Sequence, residues 1–264
     1  MFDIQEPFKS LWKDKDPFKE IETLNGKIIR QLEKRKTSYF IYKKEKYFIK
    51  IHYGISIKEI IKNLFFLRLP VFGAKREWKI VQYLTNSRID TMDVRVFAEQ
   101  KNNILQRKSF IITRALSSTI SLDNFCKNWK NISPNFQIKK ILISTLAQII
   151  NKMHKSGVNH RDCYICHFLL HIPIHNSKKI KISVIDLHRA QLRKIVPKGW
   201  KNKDLIGLYY SSLNIGLTKR DIFRFLKVYF NNNLRNIFNN EKKMILNAAI
   251  KAKKIQNRTI KHKL

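Results

Sequence analysis

Residues 154 to 170 read HKSGVNHRDCYICHFLL, and no other stretch constrains the chain as strongly. His160, Arg161 and Asp162 fall in a loop that leaves a long amphipathic pattern and runs into the apolar Phe168, Leu169 and Leu170, the start of a strand. An acid presented by such a loop is a candidate general base for a hydroxyl substrate. Two other chemistries compete for the same residues. Cys163-Tyr-Ile-Cys166-His167 fits the C-x-x-C-H pattern of covalent haem attachment, and His160, Cys163, Cys166 and His167 are a candidate zinc set. Haem attachment requires export, and the opening Met1-Phe-Asp-Ile-Gln-Glu-Pro has neither a basic nor an apolar leader region. With three cysteines in 264 residues a disulfide framework is not expected, and a reducing compartment is.

The loop resembles the catalytic loop of kinases. In that motif the Asp of H-R-D accepts the acceptor hydroxyl's proton and a metal-side residue, usually Asn, lies five positions beyond it. Here Asp162 is the acid, and His167 takes the metal-side place. Three further residues fit. Lys50 interrupts the apolar strand Tyr47-Phe-Ile-Lys-Ile, where a kinase carries the lysine that neutralises phosphate oxygens. Glu77, Val81 and Leu84 share one helix face in AKREWKIVQYLT, and an acid on an apolar face requires a partner, for which Lys50 is the candidate. Asp186 ends the strand-like KIKISVID at a distance from Asp162 that leaves room for a hairpin containing Pro173 and Asn176, as the Mg²⁺-binding Asp of a kinase does. A neutral imidazole is a poor ligand for hard Mg²⁺, so His167 is expected to orient its neighbours more than to bind metal. No G-x-G-x-x-G precedes Lys50, which leaves Arg30 to Ser38 as the segment expected to cover phosphate.

Local patterns supply the surroundings. Ser38–Tyr42 and Tyr47–Ile51 read as a hairpin across KKEK, although no glycine marks the turn. Ser56-Ile-Lys-Glu59 is a capping box that opens a basic amphipathic helix ended by Pro70; it is expected to pack on the N-terminal lobe, with an anionic membrane surface as the other reading. Phe110–Thr113 is a buried strand leading to a hinge at Arg114 to Ser121. Ile138, Ile141, Leu142, Leu146, Ile149, Ile150 and Met153 form a core helix stripe, and Gly157 is the expected left-handed cap. Thr218-Lys-Arg-Asp221 opens another capped helix, and a basic helix follows from Glu241.

The formal charge is +35, with 54 Lys and Arg against 19 Asp and Glu. Lys, Ile and Asn recur throughout while Gly falls to 7 and Pro to 6, so about half of the charge is assigned to compositional skew. No aromatic-basic recognition motif accompanies the charge, and no nucleic-acid partner is expected. No segment has the 18 or more apolar residues of a membrane span.

Beyond the kinase signature, Glu6-Pro-Phe, SIKEIIKNL, GAKREW, HRDCYICHFLLH, ISVIDLHRAQLR, DLIGLYYSS and NIGLTKRDIFRFLKVY resemble the Kdo/heptose kinase family within the protein-kinase-like fold, over nearly the whole chain. The resemblance implies a two-lobed α+β fold, with a β-rich N-terminal lobe (1–113) and a larger helical C-terminal lobe (114–264). It implies transfer of the ATP γ-phosphate, with Mg²⁺, to a hydroxyl of the first inner-core heptose of lipid A-linked lipopolysaccharide, at the cytoplasmic face of the inner membrane. Asp162 is the catalytic acid carried over, Lys50 and Glu77 the nucleotide-binding pair, and Asp186 the metal ligand. Arg114-Ala115 stands where the family's hinge is expected to hold an acid. Arg189, Arg193, Lys194, Lys198, Lys201 and Lys203 are placed to meet the acceptor's phosphates and carboxylates. The family is also associated with acyl carrier protein, an acidic partner for a basic surface. A protein or aminoglycoside-type kinase of the same fold is the alternative enzyme, and a basic nucleic-acid-binding protein or a pseudokinase is the non-enzyme alternative.

Overall fold

The computed structural model describes residues 1–54, 65, 73–100, 106–174 and 180–261. The expected helix from Ser56 to Leu69 lies outside the described residues, apart from position 65. The chain forms two compact units: Met1–Tyr83 with Met92–Ser117, and Leu84–Thr91 with Ser118–Leu264.

The first unit is built on a six-stranded antiparallel sheet. Its strands are β1 (Phe2–Ile4), β2 (Lys27–Leu32), β3 (Arg35–Tyr42), β4 (Glu45–Tyr53), β5 (Asp93–Glu99) and β6 (Lys108–Arg114), ordered β1-β5-β6-β4-β3-β2. β3 and β4 are longer than the sequence pattern suggests, and the turn between them is two residues, Lys43 and Lys44, with φ of 47° and 64°. A two-residue hairpin needs positive φ at both positions to match the strand twist. Lysine supplies it here at a steric cost that glycine would avoid.

Strand alternation sorts β4 into two faces. Tyr47, Ile49 and Ile51 join Phe8, Trp12, Phe18, Phe40 and Phe110 in an aromatic-rich core. The short helices α1 (Phe8–Leu11) and α2 (Pro17–Thr23) cover that face, the second capped by Asp16, whose side chain accepts from the Phe18 amide. Lys50, one residue out of phase, belongs to the opposite face. There the helix α3 (Lys75–Asn86) packs through Trp78, stacked on Phe97 with ring centroids 4.6 Å apart.

The second unit is mainly helical. A three-stranded sheet runs in the order β10 (Ile182–Val184), β9 (Phe168–His171), β7 (Thr119–Ser121), and the two-stranded ladder of β8 (Val158–Asn159) and β11 (Gln191–Leu192) pairs Val158 with Leu192 and Asn159 with Gln191. The hairpin expected between Asp162 and Asp186 is the antiparallel β9–β10 pair, in register Leu170 to Ile182; Pro173 follows β9, and Asn176 lies outside the described residues. After the short α4 (Leu122–Phe125), α5 (Phe136–Lys155) runs as the core helix, with Leu142, Leu146, Ile150 and Met153 buried. α6 (Lys198–Ser212), α7 (Lys219–Phe230) and α8 (Leu234–Lys261) complete the unit. The Thr218–Asp221 capping box forms in full at the start of α7. No helix among the described residues is long and apolar enough to cross a membrane.

Gly157 leaves α5 with φ of +87°, and a Cβ there would lie 2.0 Å from the Arg193 carbonyl oxygen. The chain therefore reaches the loop at His160 only through a residue without a side chain. Gly157→Ala is expected to lower stability by about 1–3 kcal/mol, measured by urea unfolding. An unchanged unfolding midpoint would show that the backbone at Arg193 can move aside at no cost.

Candidate active site

The loop from Asn159 to Phe168 is anchored from beneath by α6. Asp204, fully buried, accepts from two consecutive backbone amides: Oδ2 from His160 and Oδ1 from Arg161, both at 2.7 Å. His154 at the end of α5 donates from Nε2 to the same Oδ2 at 3.1 Å, and its Nδ1 accepts the Tyr229 hydroxyl at 2.8 Å. Burial pushes the Tyr229 phenol well above its ordinary value, which keeps it a donor. Gly207 and Ser211 share the Asp204 face at helical spacing. A Cβ on Gly207 would lie 3.0 Å from the Cys163 carbonyl, and the Ser211 hydroxyl accepts from the Ile165 amide at 3.0 Å. Neither Asp204 nor His154 was singled out in the sequence. The available signal was an acid on the inward face of a helix at offsets 0, 3 and 7 from a glycine and a serine.

This anchoring holds Arg161 at φ of 74°, a left-handed conformation costly for a residue with a side chain. His160, wholly buried and kept neutral by that burial, donates from Nε2 to the Ile185 carbonyl at 3.0 Å. The loop is thereby tied to the residue preceding Asp186. Asp186 also has positive φ, 58°, and begins the turn Leu187–Arg189. Two left-handed non-glycine residues within one hydrogen-bonded assembly mark backbone strain concentrated where side chains must be aimed.

The side chains of Asp162, His167, Asp186, His188 and Arg189 converge there. The Asp162 carboxylate receives Arg189 Nη1 at 2.8 and 3.1 Å from its two oxygens. Its backbone carbonyl accepts from His167 Nδ1 at 2.7 Å. The His167 ring stacks parallel on His160, centroids 5.5 Å apart, and its Nε2 lies 3.7 Å from Asp186 Oδ2. Burial alone would lower the His167 pKa; hydrogen bonds to Cys166 and the Asp162 carbonyl, with the negative charge of Asp186, outweigh it and raise the imidazole to about 9. Asp186 Oδ1 accepts from His188 Nδ1 at 2.8 Å. Arg189, read from sequence as part of a basic face for the acceptor, is instead engaged with Asp162. Arg193 bonds Asn159 and Gln191, and with Arg161 and Lys203 it lies against the Trp200 ring, at 5.1, 5.1 and 4.9 Å from its centroid.

The first unit carries the other pair. Lys50 Nζ lies 2.7 Å from Glu77 Oε1; the Glu77 side chain is 2 % exposed and the Lys50 side chain 17 %. Removing one partner of so dry a pair costs about 3–5 kcal/mol, because the other charge is left buried.

The rival metal reading finds no geometric support. Among the described residues no group of three or more His, Cys, Asp or Glu side chains is placed to hold a metal ion. Cys163 is buried, its thiol pushed well up by that burial.

Asp204→Asn places an amide NH₂ against one of the two backbone amides and removes the charge from both. We expect a loss of at least about 2 kcal/mol in urea unfolding. A variant as stable as the parent would contradict the anchoring role.

A profile of the lipopolysaccharide kinase (Kdo/WaaP) family matches residues 19–229. The lipopolysaccharide core heptose(I) kinase WaaP of Escherichia coli is 51% identical over 265 residues, covering 100% of both chains. The Pseudomonas aeruginosa protein of that name is 44% identical, covering 97% of this chain and 96% of its own. A solved structure described as WaaP in complex with acyl carrier protein superposes with a TM-score of 0.85 at 39% identity, covering 96% of this chain and 98% of the other. The mixed α+β fold is thus the kinase-like fold of that protein. The chain belongs to the lipopolysaccharide kinase (Kdo/WaaP) family.

Proposed function

We propose that the protein transfers the γ-phosphate of ATP to a hydroxyl of the first heptose of the lipopolysaccharide inner core. The observation that carries this reading is identity of 44% or more, across essentially the full length, to proteins named heptose(I) kinase. The local geometry supports it. Phosphoryl transfer demands positioning and charge neutralisation more than covalent chemistry. Asp162 would accept the hydroxyl's proton, with its carbonyl held by His167 and the two preceding backbone amides held by Asp204. Lys50, fixed by Glu77, would neutralise phosphate oxygens.

The donor set fits Mg²⁺ at Asp186. Its carboxylate is 32 % exposed and is oriented by His188, and a hard cation of this kind is held by one or two carboxylates with substrate phosphates and waters. The metal would supply neutralisation of charge on the phosphates. His167 already spends Nδ1 on the Asp162 carbonyl, and an imidazole is a poor ligand for a hard cation, so it serves as an orienting donor and not as a ligand.

Work at the cytoplasmic face of the inner membrane, as a peripheral protein, follows from the acceptor, and the charge of +35 suits anionic headgroups. Acyl carrier protein is proposed as a further partner, because a relative is described in complex with it and the basic surface complements an acidic protein.

The direct test supplies labelled ATP with core lipopolysaccharide lacking heptose phosphate, beside protein and RNA as alternative acceptors. Label is expected on the lipopolysaccharide alone; label on protein would return the protein-kinase alternative. Asp162→Asn is expected to lower kcat at least about 10²-fold with folding intact, because general-base catalysis contributes about 10²–10⁴. Near-normal turnover would end its assignment. Lys50→Met and Glu77→Gln should each impair turnover, and the double variant should cost less than their sum. Full additivity would show that each acts without the other.

A further inference from the structure

We propose that Arg189 is a positioning residue for the phosphoryl-transfer step, holding the Asp162 carboxylate in the orientation that receives the acceptor hydroxyl; the proposal rests on the reading of Asp162 above. Among the described residues, Arg189 supplies the only hydrogen bonds to that carboxylate. One nitrogen, Nη1, lies 2.8 Å from Oδ1 and 3.1 Å from Oδ2. The torsion about the Cβ–Cγ bond of an Asp is otherwise broad, and the two N–H groups of one planar guanidinium nitrogen, one toward each oxygen, restrain it while holding the end of the side chain in place. Its approach leaves lone pairs on each oxygen, because a carboxylate has about four acceptor sites. A hydroxyl can therefore be accepted while Arg189 stays in place.

The position of Arg189 is itself set by the fold. It ends the short turn Leu187–Arg189 that follows the left-handed Asp186. Leu187 and Ala190, on either side, are wholly buried, and Gln191 next along pairs with Asn159 in the β8–β11 ladder. The backbones at 159 and 191 are thus in register, and Asp162 and Arg189 lie within side-chain reach. Asp186 and Arg189 are carried by one turn, so the proposed metal carboxylate and the clamp on the proposed base are aimed together. With the Arg189 side chain 36 % exposed and that of Asp162 15 %, the pair is open enough to meet a substrate and sheltered enough for its hydrogen bonds to persist.

The guanidinium contributes geometry that an ammonium cannot copy fully. Misplacing a catalytic group by about 1 Å costs on the order of 10²-fold. Arg189→Ala is therefore expected to lower kcat about 10- to 100-fold while the KM for ATP stays within about twofold. Free guanidinium ion added to Arg189→Ala should restore part of the lost rate, and Arg189→Lys should fall between the alanine variant and the parent. Asp162→Asn is run beside them and should show no response to guanidinium. Parent-like turnover by Arg189→Ala overturns the inference. So does a loss that guanidinium leaves unchanged and that accompanies a lowered unfolding midpoint, the signature of a merely structural pair. A normal rate for Asp162→Asn would overturn the reading of Asp162 itself and, with it, the role of Arg189.

Discussion

The second unit depends on one buried carboxylate. Asp204 takes the backbone amides of His160 and Arg161 at a point where regular secondary structure offers them no partner. Orphaned buried amides are costly, and so is an isolated buried anion; each requirement answers the other. Once Asp204 is in place, the loop can hold Arg161 at positive φ, His160 can turn beneath Asp186, and Asp162 can face outward. Gly207 on the same helix removes the side chain that would otherwise keep α6 away from the Cys163 carbonyl.

The first unit solves a different problem with the same means. Lys50 is a cation in the middle strand of a sheet whose other face is an aromatic core, and only a paired anion makes that position tolerable. Glu77 is that anion, brought in by a helix whose Trp78 stacks on Phe97 of the sheet. In each unit a nearly dry charge fixes a second group that remains accessible, which is how a fold supplies preorganised electrostatics without relying on flexible surface side chains.

Much of this was legible in the sequence, for identifiable reasons. The pairing of Lys50 with Glu77 could be read because each breaks an apolar pattern and a buried charge demands a partner. The Thr218–Asp221 box and the Gly157 cap could be read because their signals lie within a few residues of the geometry they produce. The hairpin across KKEK could be read, but not that its turn is only Lys43 and Lys44, because the usual signal of a two-residue turn is Asn or Gly and here lysine accepts the strain. Asp204 stayed hidden because an acid on a helix is ordinarily solvated, and only the distant loop it serves explains its burial. Arg189 was indistinguishable from its basic neighbours, since ion pairs between residues far apart in sequence leave no local periodicity.

In a lipopolysaccharide kinase this architecture serves phosphoryl transfer to a sugar hydroxyl. Tandem mass spectrometry of core lipopolysaccharide, after incubation with the protein and ATP, reads that outcome directly by locating the added phosphate along the saccharide. The account predicts a single new phosphate on the first heptose. A phosphate on a Kdo residue, on lipid A or on an outer sugar would contradict it.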